Sequence, residues 1–283
     1  MVGVLAGYWL FSAFIRSDEA SSQDWLHVYW VLACACAAIF VLLWGSELDE
    51  TEATHRSADH PRQGFGLMWS LACMPLVGVF LLSAFLSVLV EQGITSWLPT
   101  FNNEIMKLPL ALSVQVTSIL AASTAIGRMG FGLLLKKLDW FTLLVGCLVC
   151  MMLLVLLTLP LTRNLDASLV RGWQDAPLAA FIFPLIGLFM APIYPAINSL
   201  ILSALPKYQH ATMTGLIVIF SALGGTTGSL ITGFVFAHFS GQTAFYLTLI
   251  PLVVMVPVLL IFKRALGRHG VGMVDAAGLA AGH

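Results

Sequence analysis

Residues Leu67 to Asn103 read LMWSLACMPLVGVFLLSAFLSVLVEQGITSWLPTFNN. The run is long enough to cross a bilayer, which takes about 20 apolar residues, yet it carries an acid and an amide, Glu91 and Gln92, inside it. Ser83, Ser87, Glu91 and Thr95 recur every fourth residue and rise along one side of a helix, with Gln92 and Ser96 beside them. A polar seam on a spanning helix faces a protein interior or a watery cavity, because lipid offers its groups no partner. The seam predicts a wall of a solute pathway. Counted from Leu67 at about 1.5 Å per residue, Glu91 falls in the outer half of the span. Trp97 and Pro99 then mark the rim, and the helix reads as an outer gate that also touches solute.

Composition agrees with a membrane protein. The 283 residues are 59% hydrophobic and 10% charged, with mean hydropathy +0.93, whereas soluble domains carry about 25% charged residues. We read an all-α polytopic fold. A net charge of −1 and the lack of a basic tract leave nothing for nucleic acid to bind. The five cysteines (Cys34, Cys36, Cys73, Cys147, Cys150) all lie in apolar runs without His or acid neighbours, so they read as packing or lipid-facing residues. The histidines form no set, and there is no HExxH, phosphate loop or nucleophile with a base at helical spacing. No metal, cofactor or enzyme activity is expected.

Apolar runs give eight candidate spans: 1–15, 25–44, 67–98, 112–135, 140–161, 177–204, 212–238 and 243–262. The first is too short to cross and lacks the basic start of a signal peptide. It reads as the tail of a span whose beginning is missing. Trp25, Trp44, Trp69, Trp97, Trp140 and Trp173 lie near span ends, as an aromatic belt would. If the 45–66 loop is cytoplasmic, nine basic residues share its side: Arg56, Arg62, Arg128, Lys136, Lys137, Lys207, Lys263, Arg264 and Arg268. Arg16, Lys107, Arg163 and Arg171 lie opposite. The bias predicts that orientation, with a cytoplasmic C-terminus.

The runs 25–44, 140–161 and 243–262 are almost purely apolar, while 67–98, 112–135, 177–204 and 212–238 carry Ser, Thr, Gln, Asn, Gly and Pro. From the second span the order is apolar, mixed, mixed, apolar, mixed, mixed, apolar. That is a three-span unit repeated, a device of secondary transporters. Apolar spans then suit a lipid-facing position, and mixed spans suit cavity walls or close packing.

Glu91 is the only acid deep within a confident span, where a charge costs about 2.5–3.5 kcal/mol on insertion scales. It serves either solute, a cation or a gate, or else pairs with a neighbouring helix. In 112–135, Ser113, Thr117, Thr124 and Arg128 share one face, and Gly127, Arg128, Gly132, Lys136 and Lys137 form a small-basic cluster at its end. This cluster reads as a conformational latch. In MAPIYPAINSLI, Pro192 and Pro195 predict a bend around Tyr194 and Asn198. Those two are candidate solute ligands, or partners for another helix or the kinked backbone. Gly224, Gly225, Gly228 and Gly233 predict a close-packing helix without a ligand. The pathway residues are thus Glu91, Gln92, Thr95, Trp97, Tyr194 and Asn198.

The chain resembles the major facilitator superfamily, and within it the fucose-permease-like sugar symporters, from about Met1 to Arg264. The likeness is carried by EQGITSWLPTFNNEI (91–105), GRMGFGLLLKKLDW (127–140), APIYPAINSL (191–200) and SALGGTTGSLITGFVFAHFSGQTAF (221–245). These positions correspond to helices five to twelve of the family's twelve. The resemblance implies residues 1–44 as a remnant of an N-terminal bundle and 45–66 as a cytoplasmic inter-bundle loop. Residues 67–264 would form a C-terminal six-helix bundle and 265–283 a cytoplasmic tail. It also implies alternating access and symport of a sugar or other small neutral polar solute with a proton or sodium ion, in the plasma membrane, a bacterial inner membrane. The family's coupling acids lie in helices absent from this chain, and a closed cavity needs the missing bundle. The alternatives are a facilitator or exporter of a small amphipathic compound, or a truncated half that does not transport.

Overall fold

Every regular element among the described residues is helical. The computed structural model describes residues 2–14, 26–45, 61–135, 137–162 and 172–268. In order these are α1 (Val2–Phe14), α2 (Leu26–Trp44), α3 (Pro61–Ala72), α4 (Pro75–Glu104), α5 (Leu110–Leu134) and α6 (Trp140–Thr158), which a 3-10 turn extends to Thr162. Then come α7 (Leu178–Ile182), α8 (Ile186–Met190), α9 (Ile193–Ala204), α10 (His210–His238), α11 (Gly241–Leu247) and α12 (Leu249–Arg268). Among the described residues, seven stretches are long and apolar enough to cross a membrane: Leu26–Trp44, Pro75–Glu104, Leu110–Leu134, Trp140–Thr162, Leu178–Ala204, Lys207–His238 and Gly241–Gly267. The apolar helix Gly3–Ala13 is shorter. This is the multi-pass all-α fold that hydropathy predicts.

The Leu67–Asn103 run is two helices rather than one. Pro75 disfavours helical backbone at the residue before it, and Met74 is extended with φ −71° and ψ 129°. The helix restarts with Pro75 in its first turn, where a missing N–H is harmless. Glu91 therefore lies about 24 Å from the start of a helix 30 residues long. It sits near the middle of α4. The 177–204 run also departs from a single proline kink. A 3-10 turn at Phe183–Leu185 and a turn at Ala191–Pro192 cut it into α7, α8 and α9.

At the centre stands α4, packed most extensively on α10 and then on α12 and α5. A Cβ on Gly224 would lie 2.4 Å from the Phe85 carbonyl oxygen, and one on Gly228 2.1 Å from that of Leu89. The two backbones thus touch where any side chain would part them. Toward the Glu104 end of α4, Phe101, Phe183 and Phe245 form a buried aromatic knot with centroids 4.5–5.9 Å apart. Burial follows the apolar–mixed order with one exception. Only 6% of the α2 window is buried, against 56% for α4 and 61% for α5, yet the mixed helix α10 buries just 22%. Its small residues serve the α4 side alone, while Val218, Leu223, Leu230 and Phe234 point away from the described residues.

Candidate functional site

Midway along α4, Ser87, Val90 and Glu91 open onto a partly enclosed space of about 10 Å³, near the minimum for one water-sized group. The opposite walls come from Met151 of α6, Met190 of α8, Ile193 and Tyr194 of α9, and Leu252 and Met255 of α12. Six of the nine lining side chains are apolar and three of those are methionines, which adapt to irregular shapes. Two sequence-predicted residues, Glu91 and Tyr194, meet in this space.

The polar groups around Glu91 are committed elsewhere. Ser87 donates its hydroxyl to the Ser83 carbonyl at 2.8 Å, with Met255 Sδ at 3.8 Å. Thr95 donates to the backbone carbonyl of Glu91 at 2.6 Å rather than to its carboxylate. Tyr194 shares a 2.8 Å hydrogen bond with Ser221 of α10. Among the described residues no group donates to the Glu91 carboxylate within hydrogen-bond distance, and no ion pair includes it. Arg128 of α5 is the cation whose charge acts on it.

Gln92 and Trp97 lie elsewhere. Gln92 is exposed and rests against Gly225. Trp97 is half-buried in the α4–α10 seam and donates to the Ser229 carbonyl at 2.9 Å. Asn198 lies one turn beyond Tyr194 on α9, and its buried Oδ1 has no partner among the described residues. Pro192 caps α9 and Pro195 occupies its first turn.

The small-basic cluster is divided. Gly127 is buried, and a Cβ there would come 2.3 Å from the Leu188 carbonyl oxygen, so this glycine lets α5 and α8 touch. Arg128, Gly132 and Lys137 are exposed, and space around Gly132 is open. Lys136 lies outside the described residues. Sequence reasoning passed over Ser12 and Gln115 and placed Trp173 only in the aromatic belt; the three are hydrogen-bonded together. It also passed over Ser123, which donates across to the Pro184 carbonyl at 2.9 Å. Gln115 is as polar as Gln92 and equally embedded in an apolar run, so that signal was present.

A family model described as Major Facilitator Superfamily matches residues 1–217. Neither a curated protein nor a solved structure matches the chain.

Proposed function

This chain belongs to the Major Facilitator Superfamily and is a secondary transporter by that membership, from which we propose that it carries a small neutral polar solute, such as a sugar, by alternating access coupled to a proton or other cation. The observation that carries this reading is the Glu91 carboxylate, mid-helix at a small, partly enclosed cavity and without a hydrogen-bond or ion-pair partner among the described residues. A carboxylate in such surroundings is expensive to keep ionised unless a cation or proton answers it. No Lys or Arg among the described residues lines the space, which argues against an anionic solute.

Glu91 and Tyr194 then form the pathway's centre, with Gln92, Thr95 and Asn198 flanking it and Trp97 holding the wall. Residues 67–264 act as one bundle, and a bundle preceding them in chain order supplies the facing wall. The basic-residue bias favours a cytoplasmic C-terminus in a plasma membrane. A second reading, facilitation or export of an amphipathic compound, is favoured by the six apolar lining side chains.

Uptake by the protein in proteoliposomes tests both. A symporter accumulates labelled solute, from panels of sugars and of amphipathic compounds, above equilibrium. It loses that accumulation when a protonophore and sodium ionophore collapse the gradients. Glu91→Gln should keep solute exchange but lose accumulation. Uptake indifferent to the gradients removes symport, and an unchanged rate and pH profile in Glu91→Gln makes the carboxylate structural.

A further inference from the structure

The seam between α1 and α5 ends in a closed ring of side chains outside the cavity just described. Gln115 of α5 donates from Nε2 to Ser12 Oγ of α1 at 3.1 Å and accepts at Oε1 from the Trp173 indole at 3.0 Å. An indole N–H can only donate, which fixes which end of the amide faces it. Trp173 lies nearly parallel to Trp9 of α1, with centroids 6.3 Å apart and an interplanar angle of 9°. Ser12 returns to Trp9, donating to its carbonyl at 3.2 Å. Both ends of one amide and two stacked indoles thus join α1, α5 and the segment before α7.

We infer that this ring is the outer gate of the pathway, closed in the state seen here and opened when solute enters from outside. The inference rests on the alternating-access reading and its orientation, which put the Phe14 end of α1 and the Leu110 end of α5 outward. The ring grips only that end of α1. At the opposite end a Cβ on Gly3 or Gly7 would meet nothing within 4 Å, so that face of the helix is open. At the cytoplasmic ends the ion pair among the described residues joins Lys263 of α12 to Asp139 at the start of α6, and it does not reach α1 or α2. Arg128 and Lys137 are exposed there, without a hydrogen bond or ion pair. Among the described residues, α1 is therefore joined to α5 by side-chain hydrogen bonds at its outer end alone.

The bonds of the ring also suit repeated opening. Serine, amide and indole groups at headgroup depth exchange one another for water at little net loss. The α4–α10 seam, where glycine backbones touch, offers water no such substitution, so it moves as a unit.

Spin-label distances test the gate without any solute. With the native cysteines replaced by alanine, one pair sits at the exposed positions Ala13 and Gln174, and a second at Gly45 and Lys137. The outer pair should give one short distance in lipid nanodiscs. Gln115→Leu removes both amide bonds at similar volume and should shift the closed-to-open ratio about tenfold. The outer pair then gains a longer population while the inner pair shortens. Ser12→Ala, a milder change, should move both pairs the same way by less, and keeps the test available if Gln115→Leu misfolds. An outer distance unchanged in either folded variant overturns the gate. So does outer lengthening with no inner change, which is local fraying. Because no solute is added, these outcomes are independent of whether uptake is found.

Discussion

Trp97 donates its indole N–H to the Ser229 carbonyl 2.9 Å away, across the interface between α4 and α10. The ring stacks on Phe236 with centroids 5.6 Å apart. It also covers Gly233, where a Cβ would come 2.3 Å from the ring. Trp97→Phe should destabilise the protein by about 1 kcal/mol, the net worth of one such bond. Gly233→Ala should cost about 1–3 kcal/mol by overpacking. In the Trp97→Phe background the smaller ring leaves room for the methyl, so the double variant should lose less than the two changes added. Thermal unfolding of the four proteins in detergent measures this; strict additivity would show that ring and glycine do not meet.

Gly224→Ala and Gly228→Ala place a methyl on backbone oxygen, where no rotamer can yield. Each should lower stability by about 2 kcal/mol or more, as overpacking does at rigid contacts. Gly146→Ala, with nothing within 4 Å of its Cβ, is the control and should be neutral or slightly stabilising, since alanine is the better helix former. Equal melting temperatures for Gly228→Ala and Gly146→Ala would contradict the contact.

Asn198 and Tyr194 should respond in opposite directions. The unpartnered Oδ1 of Asn198 carries a desolvation cost of about 1–3 kcal/mol that Asn198→Leu removes, so that variant should melt at the same temperature or higher. Tyr194→Phe breaks the bond to Ser221 and should cost about 1 kcal/mol. If Asn198 serves solute, the stabilised Asn198→Leu protein should transport at least about tenfold more slowly, the signature of a stability–activity trade. A variant both more stable and fully active would remove Asn198 from the pathway.

Lys263 meets Asp139 at 3.3 Å with both side chains nearly half exposed, and its ammonium sits 4.5 Å from the Phe141 ring centroid. Asp139 also caps α6, accepting from the Thr142 N–H at 3.4 Å. Screened surface pairs contribute about 0–1 kcal/mol, whereas losing a cap costs about 0.5–2 kcal/mol. Asp139→Ala should therefore lower stability more than Lys263→Met, and the gap should persist in high salt. Denaturation at two ionic strengths decides it; a gap abolished by salt would assign the effect to the ion pair.

Hydropathy made the helices legible because a span must bury about 20 residues of apolar surface whatever its neighbours. The glycines of α10 were legible for a similar reason, since small residues at one-turn spacing serve close approach. The two breaks were harder. Pro75 could be read as a stop, yet Met74 is apolar and the run continues through it, so hydropathy masked the restart. Trp97 at a span end satisfies the belt pattern equally well facing lipid or a neighbouring helix, and only the position of Ser229 decides. The meeting of Glu91 with Met151, Met190, Leu252 and Met255 depends on tertiary arrangement. Methionines in apolar runs carry no mark of it.

The stretch from Leu178 to Ala204 is jointed. Its upper piece is tethered to α5 through Ser123 and the Pro184 carbonyl, and its lower piece to α10 through Tyr194 and Ser221. Ala191 and Pro192 lie between them as an articulation. A stiff rod fastened at both points would force α5 and α10 to travel together. A jointed one carries slack, so each can follow its own neighbours while the chain between them stays threaded across the membrane.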